Sequence, residues 1–431
     1  MSFLEIILVT FYSALFSFII LRLKFFQRFH LSGKVIVALF IFKVIAGIFY
    51  GYIHLKFYGG GDTYAYFDDS LYVFSTLKTN PWLYVRLVFG LSNAHPAPDI
   101  VPYKDAMMYY TNPDAYLLVR FHSLLRIISF GFYNVHVVFY NFITLVGCLY
   151  LFRFLSEILP AKKELLLGAV FLFPSIAFWS SGIHKDGISM ADLGLILFFS
   201  NKIFITPGKK SFRRFSIYVV CWIAGLILLL FIRTFLFLLL IPVLTAWLIT
   251  MKYPAHKLMK CIIVLCIYFG LASNLNVVWP DWDFLNRIVF MQNEFKIVAD
   301  ESFQVPIPSI IPTIGSVLSG VPMALENCLI RPWIGETENV LQVISSIENI
   351  MILLLLLAAI IFRKKKLSDA EQSLLLFSLF FAFSIFIVVG ITVPILGALV
   401  RYKIAGILFL LISAVVLTRP FSFRKSVPES L

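Results

Sequence analysis

The chain has 431 residues, of which 60% are hydrophobic and only 14% are charged, and its mean hydropathy is +0.92. A soluble domain averages about 25% charged residues, so this chain has too little polar surface to cover a globule. The composition excludes an ordinary soluble protein and predicts one that has lipid as its solvent.

The apolar residues fall into eleven runs, each long enough for a membrane-spanning helix, which needs about 20 residues. We place these spans at residues 3–21, 35–55, 133–152, 165–180, 187–204, 215–232, 234–250, 261–278, 346–362, 372–393 and 403–418. The predicted fold class is an all-α polytopic membrane protein, with residues 1–431 forming a single integral membrane domain.

Two of these assignments divide a longer apolar stretch into a hairpin. Residues 165–204 contain a polar break from Ser180 to Asp186, and residues 215–250 are interrupted only by Arg233 and Thr234. A single helix over either stretch would overshoot a bilayer at 1.5 Å rise per residue. The predicted hairpin tips are therefore the polar break and Arg233.

Connections rich in basic residues alternate along the chain with connections that are not. Every second connection is rich in Lys and Arg, and together these connections hold 22 of the 36 basic residues but only five acidic ones. Because cytoplasmic loops carry the excess of Lys and Arg, they predict an N-terminus outside and a C-terminus in the cytoplasm. The net charge of +13 is then a topology signal, and we expect no nucleic-acid partner.

Both long connections fall on the outer side. The first covers residues 56–132 and ends in a segment, 116–130, whose helical apolar spacing predicts a helix in the membrane interface. The second covers residues 279–345 and contains the proline-rich segment 305–312, which cannot form a regular helix.

The sequence GGGDTYAYFDDS at 59–70 places carboxylates where the second span emerges. Three glycines permit a tight backbone turn, and Asp62 follows them directly. Such a carboxylate can serve as a general base, with Asp69 as a second catalytic candidate. The structural alternative is that Asp62 only caps the helix that follows.

The polar break carries the sequence His184-Lys185-Asp186. Charged residues at such a depth are costly and are usually functional, so we expect Lys185 to hold a phosphate and Asp186 to orient it. The alternative is a polar hairpin tip with a local ion pair.

Arg233 also has two possible roles, phosphate binding or snorkelling of its side chain to the lipid headgroups.

Further substrate-binding candidates lie towards the C-terminus. Arg331 and Glu336 precede the ninth span, where an arginine could bind a phosphate or carboxylate with two hydrogen bonds or could merely anchor the interface. Arg401 and Lys403 begin the last span on the outer side and predict an anion there. Lys43 and Asp192, each inside a span, could pair within the bundle.

Cofactors are not indicated. The five cysteines form no CxxC pair, and four of them lie in apolar runs, so neither a disulfide framework nor a zinc site is expected. A divalent metal at Asp62 or Asp68 with His184 is left open, but no ligand spacing supports it.

These residues resemble those of polytopic GT-C-type glycosyltransferases and the related polysaccharide polymerases of bacterial envelopes. The resemblance rests on Asp62 in the first long outer loop, the interfacial segment 116–130 that ends this loop, and the RYK sequence at 401–403. The segments FPSIAFWSSGIHKD and RPWIGETEN are also similar to parts of envelope proteins of this kind. Here, however, the first long outer loop follows the second span, whereas the family usually places it after the first.

The resemblance implies transfer of a sugar from a polyprenyl-phosphate or polyprenyl-diphosphate donor to a glycan or lipid acceptor at the outer face of the cytoplasmic membrane. Asp62 would activate the acceptor hydroxyl, and Arg401 and Lys185 would hold the leaving phosphate. The alternative function is a transporter or flippase for a lipid-linked saccharide or another anion. A third possibility is a non-catalytic scaffold in envelope assembly.

Overall fold

The computed structural model describes residues 1–91, 98–206, 208, 211–279, 283–299 and 304–420. Within these residues the regular structure is helical, and the only β-type pairings are isolated bridges between Gln304 and Ile395 and between Arg363 and Thr418. The predicted all-α polytopic membrane protein is confirmed.

The α-helices follow one another along the chain with short 3-10 and π segments between some of them. They are α1 (Phe3–Arg22), α2 (Lys24–Gln27), α3 (Gly33–Tyr58), α4 (Gly61–Thr79), α5 (Pro81–Phe89), α6 (Val101–Ala106), α7 (Pro113–Ser129), α8 (Tyr133–Ile158), α9 (Lys163–Leu167), α10 (Pro174–Ser181), α11 (Lys185–Ser200), α12 (Phe212–Ile232), α13 (Thr234–Lys252), α14 (Lys257–Ala272), α15 (Phe284–Val298), α16 (Ile314–Ser319), α17 (Val321–Leu329), α18 (Val340–Ile361), α19 (Asp369–Thr392), α20 (Leu396–Tyr402) and α21 (Ile404–Leu417).

Helices or broken helix pairs lie at all eleven predicted positions within the described residues. In the described part of the chain, nine are long and apolar enough on their own, and two broken pairs bring the number to eleven if each pair is one span. The broken pairs are Pro160–Leu172 with Pro174–Ser181, and Leu396–Tyr402 with Ile404–Leu417. The split of 215–250 is also confirmed, because α12 ends and α13 begins on either side of Arg233.

The chain divides into two compact units, which are described separately. The first comprises Met1–Phe154, Pro174–Ile203 and Gly208–Phe237. The second comprises Leu155–Phe173, Phe204–Pro207 and Leu238–Leu431.

In the first unit, the long connection after α3 is folded rather than open. It forms α4 to α7, and α4 packs along both α5 and α7. Their contact is an apolar core that includes Tyr66, Val73, Leu87, Tyr116 and Val119. Burial of these large side chains stabilises the segment and gives α4 a fixed position.

Helix α7 is the helix predicted at 116–130, but two of its basic residues do not face outward. His122 and Arg126 are both buried. Arg126 donates from Nε to the Ser70 hydroxyl at 2.7 Å and from a terminal nitrogen to the Phe67 carbonyl at 2.6 Å. Its polar groups are thus bound by α4 because α4 covers this side of α7.

In the second unit, α19 packs against α21 and α17. The long connection before α18 contains α15, α16 and α17, while residues 305–312 contain no helix, as their prolines predict. Part of this extended segment is held by a backbone hydrogen bond from Val305 to the Pro394 carbonyl at 2.8 Å.

The first unit also contains a close helix approach that depends on glycine. A Cβ atom at Gly194 of α11 would collide with the backbone carbonyl of Gly147 on α8. Backbone atoms cannot move aside as a flexible side chain can, so the two helices are close only because neither position carries a side chain.

We expect Gly194→Val to lower the free energy of unfolding by about 1–3 kcal/mol, because it forces α8 and α11 apart. An SDS-unfolding titration in mixed micelles measures this change. The matched control is Gly270→Val on α14, where nothing lies within 4 Å of an added Cβ atom. Equal effects of the two substitutions would contradict the close packing.

Candidate functional site

The turn between α3 and α4 places Asp62 at the site. Gly59, Gly60 and Gly61 all have positive φ, at 60°, 103° and 56°, a backbone region that other residues rarely adopt. The chain therefore reverses within three residues, and Asp62 enters the first turn of α4. The positive end of the helix dipole stabilises a carboxylate there.

The break between α10 and α11 is buried and held by polar side chains of α3 and α8. Lys43 donates to the Ser180 carbonyl at 3.0 Å, to the Ser180 hydroxyl at 2.9 Å and to the Ser181 hydroxyl at 3.2 Å. Asn141 donates to the Ser181 carbonyl at 2.8 Å. These bonds satisfy groups that an interrupted helix leaves unpaired.

The pair that the sequence suggested between Lys43 and Asp192 is not formed. Lys43 is committed to the two serines, and neither carboxylate oxygen of Asp192 has a hydrogen-bond partner among the described residues. Lys43 instead donates to one backbone carbonyl and two side-chain hydroxyls, all within hydrogen-bonding distance.

Asp62 meets His184 from the break. His184 Nε2 lies 3.2 Å from Oδ2 of Asp62, and the Tyr109 hydroxyl donates to Oδ1 at 2.8 Å. The Asp62 side chain is 38% exposed, whereas that of His184 is 2% exposed. The carboxylate is thus held in place and still accessible from outside the protein.

Behind His184 lies a buried ion pair. The Nδ1 atom of His184 is 2.9 Å from Oδ2 of Asp186, and Arg233 donates to Oδ1 of Asp186 at 2.6 Å. The Tyr140 hydroxyl donates to the backbone carbonyl of His184 and fixes this residue further. Asp62, His184, Asp186 and Arg233 form a continuous row, which we call the relay row.

Lys185 points to a different carboxylate. Its Nζ atom lies 2.6 Å from Oδ2 of Asp114, at the start of α7. The sequence interpretation did not include Asp114, although an acidic residue directly after Asn112-Pro113 is typical of a helix start. Nothing local indicated that it would meet Lys185, 71 residues away.

Asp69 has a supporting position. Its two carboxylate oxygens accept backbone hydrogen bonds from Met108 at 3.1 Å and Tyr109 at 2.8 Å. Burial raises the pKa of the Asp69 carboxyl, and these two hydrogen bonds partly oppose that rise. This geometry favours a role in positioning Tyr109, and through it Asp62, over direct catalysis by Asp69.

The remaining predicted residues lie in the second unit. Arg331 is paired with two carboxylates, Glu326 at 3.1 Å and Glu336 at 3.0 Å. Glu336 also accepts a bond from the Trp333 backbone, so it holds the turn as well as the arginine. This arginine is already neutralised and would bind a phosphate only by exchanging a carboxylate for it.

Lys403 and Arg401 differ in their surroundings. Lys403 is buried and donates to the Cys328 carbonyl at 2.8 Å and to Asn349 at 3.1 Å. Arg401 is partly exposed, donates to the Tyr402 hydroxyl at 3.3 Å and lies over the Tyr402 ring. The geometry favours a structural role for Lys403, whereas Arg401 keeps the exposure that an anion site requires.

Metal ligands do not cluster in the described part of the chain, where no group of three His, Cys, Asp or Glu residues could hold an ion. Comparison with protein-family models, curated proteins and solved structures finds no match for this chain.

A buried polar group links α7 and α8. His122 Nδ1 lies 2.6 Å from His136 Nδ1, and His136 Nε2 lies 2.6 Å from the Ser129 hydroxyl. Burial, and then the nearby Arg126 charge, lower the pKa of His122 to about 3. His122 is therefore neutral in the folded protein at physiological pH.

We expect acid to destabilise the protein through His122. Its pKa falls from 6.5 when unfolded to about 3 when folded, so the folded state binds fewer protons and stability decreases as pH falls below 6.5. Between pH 7 and pH 5 the loss from this group is about 2 kcal/mol.

Unfolding titrations at both pH values measure this loss. His122→Gln should reduce the difference by about 2 kcal/mol, whereas the exposed control His30→Gln should leave it unchanged. An unchanged pH dependence in His122→Gln would show that His122 is not the group responsible.

Proposed function

We propose that this protein is a glycosyltransferase or polysaccharide polymerase. It would move a sugar from a polyprenyl-phosphate or polyprenyl-diphosphate donor to an acceptor hydroxyl at the outer face of the cytoplasmic membrane. The observation that supports this most directly is the Asp62 carboxylate, which is 38% exposed and is held by Tyr109 and His184. A carboxylate so oriented suits removal of a proton from a hydroxyl.

The proposed reaction needs one base and one stabilised leaving group. Asp62 takes the proton of the acceptor hydroxyl, the acceptor oxygen forms a bond to the anomeric carbon, and the bond from that carbon to the phosphate oxygen breaks. The phosphate leaves with the bonding electrons, so a nearby cation stabilises it.

Lys185 is the cation that we assign to the phosphate in the first unit. It follows His184 directly and meets a partly exposed carboxylate, that of Asp114. A phosphate carries more charge than a carboxylate and has more acceptor oxygens, so it can replace Asp114 as the partner of Lys185. Arg331, Glu336 and Arg401 in the second unit remain predicted substrate-binding residues.

The proposed location follows from the charge of the connections. The basic connections predict the cytoplasmic side, and the turn that carries Asp62 is on the opposite side of the span formed by α3. A donor linked to a membrane lipid and a growing envelope glycan would both be accessible there.

A transporter or flippase for a lipid-linked saccharide or another anion is the second candidate function. It is favoured by the break between α10 and α11, which is buried beside Lys43, because transporters bind substrates at broken helices. Asp192 adds a buried carboxylate to α11, a residue type that often belongs to ion or proton pathways.

We expect Asp62→Asn to lower glycan production by about 100- to 10,000-fold. The asparagine side chain has the shape of aspartate but cannot take the proton from the acceptor hydroxyl. The measurement is the glycan made by cells that carry only the variant gene, with the protein level in membranes determined by immunoblot. Asp105→Asn, in an exposed part of the same connection, is the control.

Loss of glycan at a normal protein level, together with accumulation of a lipid-linked donor, would support the transferase. Full glycan production by Asp62→Asn would contradict it and would favour the transporter.

A further inference from the structure

We propose that Asp192, near the middle of α11, is a proton-binding site of the first unit, and that its carboxyl is a neutral acid in the folded protein at physiological pH. Asp192 lies outside the relay row, and the proposed transfer reaction does not use it. The inference does not rest on the proposed function, because the proton on Asp192 can be measured without a donor or an acceptor.

Asp192 is buried, and its carboxyl has no polar partner in the described part of the chain. Its exposed fraction is 2%, and neither Oδ1 nor Oδ2 accepts a hydrogen bond there. The ion pairs found among the same residues do not include Asp192. An ionised carboxylate without partners is among the most costly groups to bury, and such a group binds a proton instead.

The other carboxylate of α11 shows what an ionised aspartate requires in this helix. Asp186 is also buried, and it accepts a hydrogen bond from the Arg233 guanidinium at 2.6 Å. Asp192 follows six residues later, about 9 Å further along the helix axis. It has no counterpart of Arg233, so the two carboxylates of one helix differ in their compensation.

The carboxyl of Asp192 lies against α12 at a glycine. A Cβ atom at Gly225 would lie 2.9 Å from Oδ1 of Asp192 and 3.0 Å from Cγ1 of Ile196. Helix α11 packs along α12, so the carboxyl occupies the space that a side chain at position 225 would take. A helix backbone and an aliphatic side chain suit a neutral acid better than a carboxylate.

The charged side chains on the elements around α11 bind elsewhere. Lys43 is bound to the serines of the break, and Arg233 is bound to Asp186. Arg153 and Lys202 lie near the Phe198 ring, six residues beyond Asp192. The other titratable side chains are Tyr140, Cys148 and Tyr150 on α8 and Tyr218 and Cys221 on α12, and α10 has none. Among the described residues, no cation therefore compensates an ionised Asp192.

A proton is the ligand that suits this site. A metal ion needs several oxygen ligands at once, and the described residues contain no group of three His, Cys, Asp or Glu side chains that could hold one. A proton needs only one carboxyl oxygen. The resulting O–H can donate to a helix carbonyl, because a carbonyl that already accepts one hydrogen bond retains a second lone pair.

The proton on Asp192 is coupled to the packing of α11. Loss of the proton would leave an uncompensated charge against Gly225, so ionisation disfavours the contact between α11 and α12. Helix α11 begins at Lys185 and carries Asp186 in its first turn. A neutral Asp192 thus supports the helix on which part of the candidate site is built.

Infrared difference spectroscopy of the full-length protein in lipid membranes at pH 7 tests the protonation state. A protonated carboxyl has its C=O stretching band at a higher frequency than the bands of a carboxylate. We expect an acid band in the wild-type protein that is missing in Asp192→Asn. Asp105→Asn, at an exposed carboxylate, is the matched control and should retain this band.

Unfolding titrations give a second measurement with a defined sign. The unfolded chain releases the Asp192 proton above about pH 4, whereas the folded chain of the proposal retains it. The stability of the wild type relative to Asp192→Asn therefore decreases as pH rises. We expect the ratio of the two folding equilibrium constants to fall about tenfold from pH 5 to pH 6. The contribution of His122 is present in both proteins and cancels in this ratio.

Two results would overturn the proposal. One is a spectrum in which Asp192→Asn removes no acid band, and the other is a ratio of equilibrium constants that does not change with pH. Either would mean that Asp192 is ionised, with a bound cation or with water as its partner.

If Asp192→Asn does not fold, Gly225→Ala decides. Its added methyl group lies against Oδ1 of Asp192, so the acid band should shift in frequency, and a spectrum identical to that of the wild type would overturn the proposal. Normal glycan production by Asp62→Asn would reject the transferase without changing any of these results, so the two failures are distinguishable.

Discussion

The ion pair between Arg233 and Asp186 is the interaction on which the first unit depends. Arg233 interrupts one long apolar stretch where α12 ends, and Asp186 lies in the first turn of α11. Both are buried, so loss of either partner would leave an uncompensated charge, at a cost of about 3–5 kcal/mol. This constraint fixes the end of one helix against the start of another, next to His184.

From that ion pair, a row of polar contacts continues outward to the protein surface. His184 contacts Asp186 on one side and Asp62 on the other, and Asp62 is the exposed end of the row. The turn of three glycines and the core between α4 and α7 bring Asp62 to this point from the opposite direction. The proposed transferase uses this arrangement, in which an accessible carboxylate is held by His184 in front of a buried ion pair.

Much of the fold could be predicted because hydropathy is a local property of the chain. The nine to eleven candidate spans of the described residues, the break at Ser180–Asp186 and the interruption at Arg233 can all be recognised from short stretches of sequence. The residues of the site were also predictable in part, since Asp62, His184 and Asp186 are polar groups next to apolar runs.

Their partners could not be predicted, because pairing joins residues that are far apart in sequence. Tyr109 and Asp114 lie in a connection whose fold depends on burial of tyrosines against α4 and α7. The cationic side chains that were expected to bind a phosphate also have partners within the protein. Lys185 is bound to Asp114, Arg233 to Asp186 and Lys403 to a backbone carbonyl. The spacing of residues along the sequence does not indicate which charged side chains are paired with one another.

The most direct test of the account is a double-mutant cycle on this ion pair. The free energy of unfolding is measured by SDS titration for Asp186→Ala, Arg233→Ala and the double variant. We expect each single variant to lose about 3–5 kcal/mol and the double variant to lose less than the sum by more than 1 kcal/mol. Losses that add to within about 0.5 kcal/mol would contradict it, because independent residues behave in that way.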